Sequence, residues 1–459
     1  MIRILLITLL LYGILAPPTQ GQGTIHISGE FPQATTDSVY LCVQYHYISY
    51  LPEVSAALLS KDGKFHLERQ LEQPVIATLH VGNQQVPLFL HPWDSLYLRS
   101  RGNNLLTDLS FEGLGESENE RLQAYRRTFL LEEQLYPKAY REDDPDDFLR
   151  RLDKRDRKIE KWLRDTKQNY PVSPDFLEYL DLRRTYEYGQ QLLNYGRYRQ
   201  YTDLEPLPEP DFYDELKSLP RYAPEAISRV YAYTDFLMGH LGREVGRQQY
   251  DATYFRELYD LARQELTGEV KKYLLAHILA QSWERGHASA LLDRYTDYQE
   301  IYTRSPYRKT LDYLYKHRQR TQTGAKAPDF SLVDAAGNTH RLDDWKGKYV
   351  VLLFWQTNCS SCIADLERIE RLSHTLEGEE LAFVFVALDT DASAWRIFVQ
   401  RRSPNGTHLR TSGRFSRVAR NYQLTQLPTL FLIAPDGTIA DYPGRPGEGL
   451  RQRLQALFE

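Results

Sequence analysis

The sequence predicts a multidomain chain: a small all-β, sandwich-like domain at 22–115, an α-helical middle region at 116–322 and a small α/β domain at 323–459, preceded by a leader at 1–21. Three observations carry this reading. The chain has 459 residues, more than one ordinary hydrophobic core organises. Its apolar pattern changes period twice, from alternation to helical spacing near Glu116, then to buried strands interleaved with helices from Gly324. Prolines 171, 174, 206, 208, 210, 220 and 224 fall between the helical stretches of the middle region.

The leader reads Met1-Ile2-Arg3, an apolar run over 4–16, then Pro17-Pro18-Thr19-Gln20-Gly21. A basic start, a short apolar core and small residues describe a secretory signal peptide cleaved near Gly21. The run is short for a membrane anchor, which needs roughly 20 apolar residues. No cysteine precedes Cys42, so a lipid-modified cysteine is not expected, and the mature protein is expected in the periplasm or cell envelope without a stable membrane span. Fifty-seven basic against 62 acidic residues leave a net charge of −5, which gives no electrostatic case for nucleic acid.

In the first domain, 39–43, 65–67, 75–81, 86–90 and 95–98 read as short strands, with Lys61-Asp62-Gly63-Lys64 as a hairpin turn. In the middle region, 148–163, 175–201, 223–241, 254–266 and 270–283 have helical spacing, and no repeat period emerges. Tyrosines 179, 186, 188, 195, 198 and 201 crowd one helical stretch. They are read as packing between helices, because a phenol ordinarily half-buries its ring, with a peptide-binding surface as the alternative. In the third domain, 349–355 and 381–388 are buried strands, with helices from Cys362 onward and near 394–400. A strand follows at 429–433, then an Asp436-Gly437 turn and a terminal helix at 450–458.

The chemistry concentrates where the first of those buried strands meets its helix, at Trp355-Gln356-Thr357-Asn358-Cys359-Ser360-Ser361-Cys362. Two cysteines so spaced in a first helical turn can close a disulfide. The free amides and dipole of a helix start favour negative charge, which lowers a thiol pKa and populates the thiolate. Cys359 is therefore expected to attack a disulfide and Cys362 to resolve the product. Half of a zinc site would need two further ligands. His374 and His408 are isolated, so neither metal nor cofactor is expected. Cys42 is read as a small buried strand residue, with a partner disulfide as the alternative.

Several stretches in order now carry a resemblance: Ala327-Pro328-Asp329-Phe330-Ser331-Leu332, Trp345-Lys346-Gly347-Lys348, Phe354-Trp355, the cysteine pair, and Leu427-Pro428-Thr429 through Asp436-Gly437. Residues 324–459 resemble the exported thioredoxin-like thiol–disulfide oxidoreductases of the cytochrome-maturation type. The β-rich start looks like a domain that envelope members of one bacterial group attach. The resemblance implies a thioredoxin fold, Pro428 in cis beside the cysteine pair, and Leu427 offering its backbone to a substrate chain, with Trp355 and Asn358 as further substrate-binding residues. It places an acidic residue three positions after the second cysteine, here Asp365, as a manager of protons, with an exposed helix-surface aspartate as the alternative. The acid of cytoplasmic thioredoxins is replaced by Leu353, which sides with the exported group. The implied partners are protein disulfides and an upstream membrane or periplasmic thiol donor.

Two departures matter. Asn358 stands where the family has tryptophan, which weakens apolar substrate contact. Ser360-Ser361 replaces the common proline-containing pair and leaves the redox direction open, with reduction of exported proteins favoured. Two rivals stay in view. A peroxide-reducing relative shares the Ala-Pro-Asp-Phe opening but has Thr or Ser where Gln356 stands. A non-catalytic binding or assembly protein would use the first two regions. Arginines 396, 401, 402, 410, 414, 417 and 420 are read as a solvated face.

Overall fold

The computed structural model describes residues 22–48, 53–102, 104–134, 136–202, 204–246, 251–285, 287–318, 320–375, 380–402, 405–424, 427–444 and 454. The expected leader and, apart from Leu454, the expected terminal helix lie outside them. No described helix is long and apolar enough to cross a membrane.

Eight strands build the first domain: β1 (Gly23–Glu30), β2 (Ser38–Val43), β3 (Glu53–Leu58), β4 (Lys64–Leu71), β5 (Val75–Val81), β6 (Gln84–Leu90), β7 (Ser95–Ser100) and β8 (Leu109–Leu114). They form two four-stranded sheets, ordered β4-β1-β7-β8 and β3-β2-β5-β6. Burial alternates strictly along β1, as period-2 side chains require when one face is covered. Ile25, Ile27, Leu67 and Leu96 of one sheet share a core with Leu41, Leu79 and Leu88 of the other. The Asp62-Gly63 turn closes against Phe31: Gly63 has φ +74°, and a Cβ there would sit 2.5 Å from the Phe31 carbonyl oxygen. Cys42 is a free, buried residue of β2, its thiol pushed up to about 12 by burial.

The middle region contains α1 (Glu116–Gln134), α2 (Tyr136–Glu142), α3 (Pro145–Asn169), α4 (Pro174–Tyr201), α5 (Tyr231–Val245), α6 (Ala252–Glu265), α7 (Gly268–Glu284), α8 (Leu292–Ile301) and α9 (Arg308–Arg318). Prolines also open two of these helices. Pro145 and Pro174 occupy first turns behind Asp144 and Ser173, whose side chains accept from the Asp147 and Phe176 amides. There the missing proline N–H costs nothing. Of the α4 tyrosines, Tyr179, Tyr186 and Tyr195 are buried, and Tyr188 and Tyr198 pack half-buried on the same core; Tyr186 and Tyr195 donate to Pro220 O (3.0 Å) and Asp143 O (2.9 Å). The β-domain joins this core through Ile48 and Phe89, and His277 of α7 bonds Tyr47 O at 2.7 Å.

The third domain comprises β9 (Ser331–Asp334), β10 (Thr339–Arg341), β11 (Tyr349–Trp355), α10 (Ser360–Thr375), β12 (Leu381–Ala387), α11 (Ala392–Arg402), β13 (Thr407–Arg410), α12 (Arg417–Asn421), β14 (Thr429–Ile433) and β15 (Ile439–Gly444). The seven-stranded sheet runs β10-β9-β13-β12-β11-β14-β15, with β11, β12 and β13 parallel. Alternate residues of β11 enter opposite cores, Val350, Leu352 and Phe354 on one face, Val351, Leu353 and Trp355 on the other. That is why the strand reads as an unbroken apolar run. This is the thioredoxin-type α/β architecture. The short strands β9, β10 and β13 and helix α12 go beyond the elements named from periodicity, because three to five residues show too little of either period.

The β-domain also packs on this third domain. Phe415 packs tilted against Tyr40 (4.6 Å) and meets the edge of His80 (5.4 Å). Burial, helped by Arg414, holds His80 at about 4, well below an ordinary imidazole. The unfolded chain takes up that proton near pH ~6.5, so this stabilisation is complete above ~6.5 and is lost as pH falls towards ~4. His277 and His408, also lowered to about 4 by burial, add to the same slope. A His80→Gln variant should lose less of its melting temperature than the wild type on acidification through that window; parallel curves would remove His80 from the account.

Candidate functional site

Strand β11 ends at the buried Trp355, and Gln356, Thr357 and Asn358 carry the chain to Cys359, directly ahead of α10. Cys359 and Cys362 form a disulfide with Cα atoms 5.1 Å apart. Cys362 is fully buried, whereas Cys359 is half-exposed. The Cys362 amide donates to Cys359 Sγ at 3.2 Å, and the Ile363 amide to Cys359 O at 3.1 Å. One orphan amide of the helix start is thus aimed at the outer sulfur, where it would stabilise a thiolate.

The Leu427–Pro428 peptide is cis. Phe354 pairs with Thr429 across β11 and β14, so the antiparallel register sets Pro428 opposite Trp355, at the strand end from which the cysteine loop departs. Leu427 and Cys359 both pack at the margin of one core cluster. Asp365 faces Arg368 at 3.5 Å, with its side chain 15% exposed. It lies between the two alternatives read from the sequence. Asn358 is exposed. Trp355 departs from expectation: it is 0% exposed and packs on Phe398 at 5.2 Å. It offers no surface to a substrate, because inward alternation on β11 sends its side chain into the core under α10. Leu353 lies in that same core.

Three residues of this neighbourhood had no role at the site in the sequence reading. Asp389, just beyond β12, is 1% exposed. It accepts from the Thr357 hydroxyl (2.6 Å) and amide (3.2 Å) and from Asn83 Nδ2 (3.0 Å). Burial raises its pKa, opposed by those hydrogen bonds and by Arg410. Arg410, read as part of a solvated face, donates instead to Asp389 O at 2.8 Å. Asn83 comes from the β-domain. A sequence signal existed for two of them. Asp389 follows the end of a buried parallel strand, where α/β sites gather, and Gly82-Asn83 is a two-residue hairpin signal. Among the described residues one His/acid group brings ligand atoms together, the exposed His26, His66 and Glu68 on β1 and β4. It contains neither Cys359 nor Cys362.

A strand–loop–helix with one partly exposed and one buried cysteine, closed as a disulfide next to a cis-proline strand, defines a thioredoxin-fold thiol–disulfide redox centre. Residues 323–442 match the AhpC/TSA family. The thiol-disulfide oxidoreductase ResA of Bacillus anthracis is 30% identical over 150 residues, which are 32% of this chain and 82% of the relative. ResA of Geobacillus kaustophilus is 29% identical over 126 residues, 28% and 71% of the two chains. A solved thiol-disulfide oxidoreductase from Bacteroides fragilis is 26% identical, with 29% of this chain and 98% of that one covered and a TM-score of 0.27. Through its C-terminal domain the chain belongs to the ResA family of thiol–disulfide oxidoreductases. The β-domain and the helical region lie outside residues 323–442, which the family match covers.

Proposed function

We propose that the protein works outside the cytoplasm as a reductase of disulfides in exported proteins, with Cys359 as nucleophile and Cys362 as resolving thiol. The observation that carries the assignment of roles is the Cys362 amide directed at Cys359 Sγ while Cys362 itself is buried. In the reduced protein the Cys359 thiolate attacks one sulfur of a substrate disulfide. That bond breaks, the first substrate thiolate leaves and takes a proton from solvent, and a mixed disulfide forms. Cys362 then loses its proton and attacks Cys359 Sγ. The second substrate thiol leaves, and Cys359–Cys362 closes, two electrons having passed to the substrate. An external dithiol donor of the envelope must return them.

Asp365, less than one helical turn beyond Cys362 and largely shielded, suits the proton transfer at Cys362. Leu427, ahead of the cis-proline, suits main-chain pairing with the substrate. Export rests on the basic, apolar, small-residue order of the first two dozen residues. The test is capture in the envelope: Cys362→Ala should accumulate mixed disulfides between Cys359 and exported proteins, released by dithiothreitol. Capture of none, with peroxide consumed instead, would assign the site to the peroxide-reducing relatives.

A further inference from the structure

The loop ahead of the nucleophile is held from another domain. Strands β5 and β6 are joined by the two-residue turn Gly82-Asn83. Gly82 has φ +59°, and a Cβ there would lie 3.3 Å from Thr390 Oγ1, so the hairpin tip sits directly on the segment that follows β12. Asn83 then uses every polar group that points across. Its Oδ1 accepts from Gln356 Nε2 (2.8 Å), and from the Thr390 hydroxyl (3.2 Å) and amide (3.5 Å). Its Nδ2 donates to Asp389 Oδ1 (3.0 Å), and its main-chain oxygen accepts from Asn358 Nδ2 (3.0 Å).

These contacts converge on the residues before Cys359. Gln356 and Asn358 are held directly, and Thr357 through Asp389, which takes both its amide and its hydroxyl. The Cys359 amide in turn donates to Gln356 O at 3.3 Å. The other side-chain partner of Gln356 is Leu388 O at 3.4 Å, near the limit of a useful hydrogen bond. The amide of Asn83 is the one planar group here that both donates to the buried carboxylate and accepts from the loop.

We propose that Asn83 is a positioning residue of the exchange site, supplied by the β-domain. It fixes residues 356–358 in the arrangement from which Cys359 attacks, so that exchange at full rate requires the docked β-domain. This rests on the reading of Cys359 as nucleophile. The β-domain is then part of the redox centre of this chain rather than an appended module.

The test uses the full-length chain, with insulin and a small aromatic disulfide as substrates and dithiothreitol as donor. Asn83→Ala should lower kcat about tenfold on both, with KM little changed, because misplacement of an attacking group by 1 Å can cost roughly a hundredfold. Gln356→Ala, which cuts the same link without touching the hairpin turn, should lose a comparable amount. Phe415→Ala removes the ring packed on Tyr40 and His80 at the same interface but makes no bond to the loop; it should stay within about twofold. The double variant Asn83→Asp/Asp389→Asn reverses donor and acceptor across the pair and should recover most of the rate lost by Asn83→Asp alone. Wild-type rates in both Asn83→Ala and Gln356→Ala, or equal losses in Phe415→Ala and Asn83→Ala that track a lowered melting temperature, would overturn the proposal. A wild-type chain inert on both substrates would instead defeat the nucleophile reading beneath it.

Discussion

Cys359→Ser should abolish disulfide exchange, whereas Cys362→Ala should leave a chain that attacks once and stops. The asymmetry comes from burial and from one amide. Cys359 is reachable, and its sulfur faces the Cys362 N–H at the start of α10; Cys362 is sealed beneath it. A thiolate is the attacking species, and a serine hydroxyl supplies almost no anion near neutral pH, so the Cys359→Ser rate should drop on the order of a thousandfold or more. In Cys362→Ala the first bond exchange survives and the second has no nucleophile. A burst of one substrate thiol per chain should therefore precede a stable mixed disulfide. Stopped-flow thiol release and mass spectrometry read both steps. Alkylation that labels Cys362 faster than Cys359 in the reduced wild type would reverse the assignment.

The largest expected loss of stability lies in the helical region. Glu284, at the end of α7, and Arg318, at the end of α9, form a 3.4 Å ion pair with side chains 6% and 4% exposed. Burial pushes the Glu284 carboxyl up while Arg318 pulls it down. Glu284→Ala leaves the guanidinium buried without its counter-charge, which should cost about 3–5 kcal/mol, whereas Glu284→Met/Arg318→Met, which removes both charges, should cost far less or stabilise. Urea unfolding followed by helical circular dichroism distinguishes the two. A single variant within about 1 kcal/mol of wild type would show that the pair is effectively solvated. The consequence reaches the redox domain, because the carbonyl of His317 on α9 accepts from Gln423 beside α12. A loosened α9 should loosen the seat of that domain before it alters the cysteines.

What could be read from the sequence was local. The alternation of β1 and β5, the apolar run of β11, the Asp62-Gly63 turn and the prolines flanking α3 and α4 are each written within a dozen residues, because secondary structure and turns depend on neighbours in the chain. The Cys359–Cys362 disulfide and the cis bond before Pro428 were legible for the same reason: each belongs to a short stretch of fixed order. Trp355 was misplaced because a strand pattern gives its two faces but not which element covers each. Asp389, Arg410 and Asn83 could not be assigned their contacts at all. The Asn83–Asp389 contact depends on the β5–β6 turn meeting the segment after β12 across 306 residues of chain, and Arg410 reaches Asp389 O through the pairing of β12 with β13; no local pattern encodes either encounter. Strands, helices and reactive thiols are thus specified by near neighbours in the chain. Which distant side chains hold the loop ahead of Cys359 is settled by the docking of one domain on another, because hydrogen bonds across an interface follow from packing rather than from periodicity.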